Sequence, residues 1–206
     1  MLKPYEYHFI KAAALRCVNV YHTVNDRTTQ ELIYNQMACE LLALDSSKEL
    51  SEFVLQLKDK SLTRKKVELL IEPLKNTIAL FPDFSTQHIK NQFKKVKKIT
   101  IPKCDETKRD ELTYFAWNDL SSSRKYVINS NGEGYYGTMF EQVKSICTIC
   151  EKTSVVTLFL ATTKKKKGGN YTKNGTYICV DSDQCNRQIQ SLRGFEKFES
   201  IVKPRK

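Results

Sequence analysis

Glycine is missing from residues 1–82, and the 206-residue chain holds only seven, together with five prolines and a single tryptophan. A segment without glycine lacks the residue that left-handed turns favour, so its turns are few and its regular elements helical. Long apolar runs are missing too. A membrane helix needs roughly 18 consecutive apolar residues, whereas the longest run here, Val155 to Ala161, is interrupted by Thr157, which excludes a membrane span. Pro4, Glu6 and His8 stand where a secretory signal needs an unbroken apolar stretch, so a cytoplasmic location is expected. Seven cysteines, an odd number, then read as thiols or metal ligands rather than a disulfide framework. His8, His22 and His88 show no HExxH pairing, and there is no GxSxG element, phosphate-binding loop or cysteine–histidine dyad. The sequence offers no active site, and no catalysis is expected.

What is present is a globular composition, 40% hydrophobic and 28% charged, long enough for two small cores. The net charge of +11 is uneven. Residues 1–82 carry 11 Lys and Arg against 10 Asp and Glu, which leaves 23 against 13 for residues 83–206. An acidic partner should dock on that second half, and its charge alone suits RNA phosphates or an acidic protein surface equally well.

Apolar spacings of three and four predict four helices in residues 1–82: Pro4 to Val24, Thr28 to Leu44 with Leu32, Ile33, Met37, Leu41 and Leu42 inward, a third opened by a Ser46/Glu49 capping box, and a fourth from Thr63 to Leu80. Pro73 should kink the fourth near Leu69 or Leu70. From residue 83 the pattern changes. One more helix is expected over Ser85 to Val96, ending in Lys94, Lys95, Lys97 and Lys98. Strands are expected around Lys98–Ile101, Thr113–Trp117, Lys125–Ile128, Tyr135–Phe140, Ser154–Thr162 and Thr176–Val180, with a hairpin turn at Asn131-Gly132 and a longer connection over Lys164 to Asn170. A helix from Asp183 to Val202 closes the chain. The expected fold is therefore an N-terminal four-helix bundle over residues 1–82, followed by a mixed α/β domain over residues 83–206.

The strongest motif is Cys147-x2-Cys150 followed by Cys179-x5-Cys185. A two-residue gap lets one tight turn present two sulfurs to a single ion, and four thiolates satisfy Zn²⁺ tetrahedrally with no position left for water or substrate. The first pair follows a strand, Cys179 ends a strand and Cys185 opens the last helix, the layout of a treble-clef zinc finger. One structural Zn²⁺ per chain is expected, with Asp181, Ser182 and Asp183 placed to cap the last helix. Cys17, Cys39 and Cys104 have no partner spacing and read as small buried hydrophobes. Gly132-x-Gly134-x-x-Gly137 matches the dinucleotide-binding pattern in letters only, because a helix must open at its third glycine; it reads as a hairpin. Tyr171, Tyr177, Phe195 and Phe198 flank the cysteines, some in the core and some free to anchor a partner.

Four segments are specific enough to name a family: Lys94–Pro102 (KKVKKITIP), Trp117–Ile128 (WNDLSSSRKYVI), Cys147–Cys150 (CTIC) and Gly175–Asn186 (GTYICVDSDQCN), with Tyr21–Asp26 (YHTVND) extending the match. They closely resemble the FusB-type proteins, which bind elongation factor G and confer fusidic-acid resistance. The resemblance implies a helical bundle, a four-cysteine zinc finger and no catalysis, and resistance by target protection, in which the factor stalled by the drug is released from the ribosome. It also implies a binding face beside the zinc finger. Tyr177 and Phe198 fit that face, Ile146 replaces an aromatic residue, and Lys173-Asn174 stands where two lysines are expected. The partner implied is elongation factor G, engaged by a monomer, with incidental ribosomal RNA contact. A ribosome-associated RNA-binding zinc finger, or a housekeeping partner of the same factor without a resistance role, is the alternative.

Overall fold

The computed structural model describes residues 1–94, 96, 98–165 and 171–204, which fall into two compact units, Met1–Ala79 and Leu80–Lys206. Lys95, Lys97 and most of the Lys164–Asn170 connection lie outside the described residues.

The first unit is helical: α1 (Pro4–Thr23), α2 (Arg27–Leu44), α3 (Lys48–Gln56) and α4 (Arg64–Ile71), then a 3-10 helix over Glu72–Thr77. Each start has a local cause. Pro4 occupies the first turn of α1, where an N–H would have no partner. Asp26, Ser47 and Thr63 accept the backbone N–H groups of Thr29, Leu50 and Lys66 and so cap α2, α3 and α4. The α3 cap is thus Ser47 rather than Ser46, because Asp45 takes the Ser47 N–H and sets the turn one residue later. Pro73 does more than kink α4. Lacking an N–H, it ends the α-helix at Ile71, and the chain continues as the tighter 3-10 turn. The core joins Ile10, Ala14 and Cys17 of α1 to Leu41, Leu50, Phe53, Val67 and Ile71. Leu32 (64% exposed) and Leu42 (39%) face water instead, and only Met37 and Leu41 of the expected α2 face are buried outright.

The second unit is built on a five-stranded antiparallel sheet whose spatial order is its chain order: β1 (Tyr114–Asp119), β2 (Arg124–Asn129), β3 (Gly134–Ile146), β4 (Thr153–Lys165) and β5 (Tyr171–Cys179). Gly132, at φ 79, makes the β2–β3 turn. A short helix, α5 (Thr86–Gln92), and the Phe93 that follows it lay Ile89 and Phe93 on Trp117, Tyr126 and Ile128. No strand forms over residues 98–101. The closing helix is two helices, α6 (Ser182–Gln188) and α7 (Arg193–Val202), with a break that carries Ile189 into the core. Phe195 and Phe198 of α7 pack on Tyr114, Tyr135 and Phe159 of the sheet. Among the described residues the structure therefore shows helices followed along the chain by an antiparallel sheet flanked by α5, α6 and α7. Among the described residues no helix is long and apolar enough to cross a membrane.

Candidate functional site

The β3–β4 connection is a tight knuckle. Cys147 donates its N–H to the Lys152 carbonyl, and Glu151 donates back to the Cys147 carbonyl. Closing that turn forces Glu151 to φ 57, a left-handed conformation that suits glycine best. The knuckle presents Cys147 and Cys150; β5 ends at Cys179, and α6, capped by Asp181 on the Gln184 N–H, supplies Cys185. All four sulfurs are buried and lie within 4.8 Å of one another. Cys147 and Cys185 are 3.8 Å apart, and Cys150 and Cys179 3.7 Å. A tetrahedral zinc with bonds of about 2.3 Å has sulfur–sulfur edges of about 3.8 Å, so the cluster already has the dimensions of a closed Zn(Cys)4 site.

The surroundings favour a thiolate at Cys147, while the same neighbours push the Cys179 and Cys185 thiols up. Hydrogen bonds from the Cys150, Cys179 and Cys185 thiols hold Cys147 well below the usual thiol range, and the Cys179 N–H points at its sulfur at 3.3 Å. The Tyr114 hydroxyl is fully buried with no hydrogen-bond partner among the described residues and lies in the field of Cys185, Cys147 and Cys179. A buried hydroxyl in that position needs an acceptor, and a metal-bound thiolate is one.

Several residues that position this centre carry no motif. Asn186, next to Cys185 of the cluster, accepts from the Thr113 and Tyr114 N–H groups and donates to the Tyr114 and Ser182 carbonyls, tying α6 to β1. Gly194, at the start of α7, approaches the Thr148 and Ile149 carbonyls of the knuckle so closely that a Cβ would overlap them. Arg193 reaches Glu151 at 3.0 Å. Nothing in the sequence marks them: Asn186 follows a cysteine and Gly194 precedes Phe195, neighbours that are common elsewhere.

The five residues expected on the binding face are placed unequally. Tyr177 (43% exposed) and Lys173 share the open side of β5 with exposed Tyr171. Asn174 lies between them in the strand rather than in a turn, and its amide donates to the Ile201 carbonyl of α7. Ile146 (64% exposed) ends β3 opposite Thr153, with exposed Val155 on the neighbouring strand. Phe198 has no exposed surface: it is enclosed by Tyr135, Phe159 and Phe195 and supports the sheet from behind, so its ring is not available as a surface anchor. Of the unpaired cysteines only Cys17 is buried, while Cys39 is exposed and Cys104 half-buried.

Residues 1–82 match the family described as elongation factor G-binding protein, N-terminal, and residues 88–201 match the FBP C-terminal treble-clef zinc-finger. Among solved structures, the fusidic acid resistance protein FusC superposes with a TM-score of 0.90 at 32% identity, over 98% of this chain and 97% of that one. No curated protein sequence matches the chain.

Proposed function

The chain belongs to the FusB-type family of elongation factor G-binding proteins, and from that premise we propose that it binds elongation factor G and releases it from ribosomes stalled by fusidic acid. The observation that carries the reading is the likeness to a fusidic acid resistance protein over almost the full length of both chains, with the four-cysteine cluster intact. In this reading the cysteines hold one Zn²⁺, whose role is to fix the knuckle, the end of β5 and the start of α6 as one rigid surface. Cys147, Cys150, Cys179 and Cys185 fill its coordination and leave it no part in chemistry.

Tyr177, Lys173 and Ile146 are the exposed contacts of that surface, Asn174 orients the β5 edge against α7, and Phe198 sets its height from within. Residues 83–206 hold the charge excess that draws an acidic partner. Protection then needs no altered drug. A binder that favours the released factor over the ribosome-bound, drug-locked one shifts the equilibrium by its differential affinity.

The test is a purified translation system with fusidic acid. Adding the protein should restore turnover of elongation factor G in proportion to its concentration, with the drug recovered intact. A chemically modified drug would replace this mechanism with an enzymatic one, and tight binding without restored turnover would leave a housekeeping partner of the same factor. Capture of elongation factor G after nuclease treatment separates protein binding from RNA bridging.

A further inference from the structure

Lys125 lies in β2 and has no exposed surface. A buried ammonium ordinarily sits against a carboxylate, because leaving it unpaired in the interior is costly. Among the described residues no ion pair involves Lys125. Its Nζ donates instead to two neutral oxygens, Asn118 Oδ1 and the Val180 carbonyl, each at 2.9 Å. Asn118 Nδ2 donates to the same Val180 carbonyl at 3.1 Å. Val180 directly follows the ligand Cys179, so both bonds fasten the chain where it leaves the cluster. Burial pushes Lys125 down to about 8, while the fields of Cys185, Cys179, Asp181 and Cys147 hold it up, in that order. Three of the four groups that favour its charge are cysteines of the cluster, and the fourth, Asp181, is the α6 cap.

We propose that Lys125 is the counter-cation of the four-cysteine centre, a positioning residue that stabilises its thiolates and fixes the Cys179–Asp181 segment for metal binding. The inference rests on the cysteines holding zinc. Zn²⁺ with four thiolates carries a formal charge of −2, and a low-dielectric interior tolerates such a charge only near a compensating one. Lys125 offsets half of it, and the Cys179 N–H, aimed at the Cys147 sulfur, spreads part of the remainder.

The experiment uses the full chain and two variants, Lys125→Met, which keeps the bulk without the charge, and Lys125→Gln, which keeps a donor for Asn118 and Val180 without the charge. Zinc affinity is read by competition with a chromophoric chelator, and the thiolate-to-metal charge-transfer band is read in Co²⁺-loaded protein. Both variants should bind zinc about 10–100-fold more weakly, and the band should move to lower energy as the sulfurs lose a stabilising positive charge. A lysine with a purely structural role would leave the band of folded Lys125→Gln unmoved. Either variant, folded and with unchanged affinity and band position, overturns the proposal. A failure of the unmodified protein to bind zinc overturns the zinc reading itself, and that result is read before any variant is made.

Discussion

Glu151 occupies a backbone conformation meant for glycine, and its side chain gives little in return. The left-handed region costs a non-glycine residue roughly 1–2 kcal/mol, while the Arg193–Glu151 pair is mostly solvent-exposed on the arginine side and pairs of that kind contribute about 0–1 kcal/mol. Glu151→Gly should therefore raise the unfolding free energy of the second unit by about 1 kcal/mol, seen as a higher melting temperature of the metal-loaded protein. Tyr177 and Phe198 make the opposite contrast. Tyr177→Ala should leave melting unchanged and speed dissociation from elongation factor G, because it removes a ring from a surface. Phe198→Ala should cost about 3–5 kcal/mol of stability, the usual consequence of emptying a packed aromatic site. If Phe198→Ala instead kept wild-type stability while weakening binding, the enclosed position of its ring would be wrong. Sequence could bring both aromatics near the cysteines but could not sort them. Only the α6–α7 break shows that Phe198 rises from a second helix against Phe159.

At the level of elements, the legible features were those with strictly local causes. Helix periodicity, the start of the fourth helix at Thr63, the Asn131-Gly132 turn and the close spacing within each cysteine pair all depend on residues within a few positions of one another. What could not be read depends on partners far along the chain. The strand expected over residues 98–101 has β-branched residues but no neighbour to pair with. The break between α6 and α7 follows from the need to seat Ile189 in the core and Gly194 against the knuckle. Gly194→Ala tests that contact: the added methyl meets backbone rather than a movable side chain, so the knuckle must shift, and about 1–3 kcal/mol of stability should be lost along with zinc affinity. The caps also carry a pH signature. The hydroxyl and N–H of Thr29 hold the Asp26 carboxyl below its ordinary range. A lowered folded value means that this stabilisation is complete above the ordinary aspartate pKa of about 3.9 and is lost as pH falls through the folded value. Asp26→Asn keeps a cap that does not titrate, so thermal denaturation of this variant should show a shallower fall in stability on the acid side than the unmodified chain.

For the molecule as a whole, charge and metal should act on different steps. Raising ionic strength should slow association with elongation factor G and leave melting largely unchanged, since the excess of basic residues over 83–206 acts at long range. Removing zinc should instead abolish the fold of the second unit while the helical signal of the first survives, because its core draws on residues 2–78 alone. A metal-free protein that melts as one native-like transition would contradict this. The sheet order has a further consequence, which belongs to synthesis rather than to the finished protein. Every strand pairs with its neighbour in the chain, so hairpins can close one after another as the polypeptide emerges, without waiting for distant segments. The metal centre cannot follow that schedule, because its fourth sulfur, Cys185, comes after all five strands. A nascent chain thus passes through a stage with its sheet largely assembled and up to three thiols uncoordinated. In a cell starved of zinc the hairpins would go unlocked and the second unit would unfold, leaving a folded amino-terminal half tethered to an unfinished one that proteases can reach.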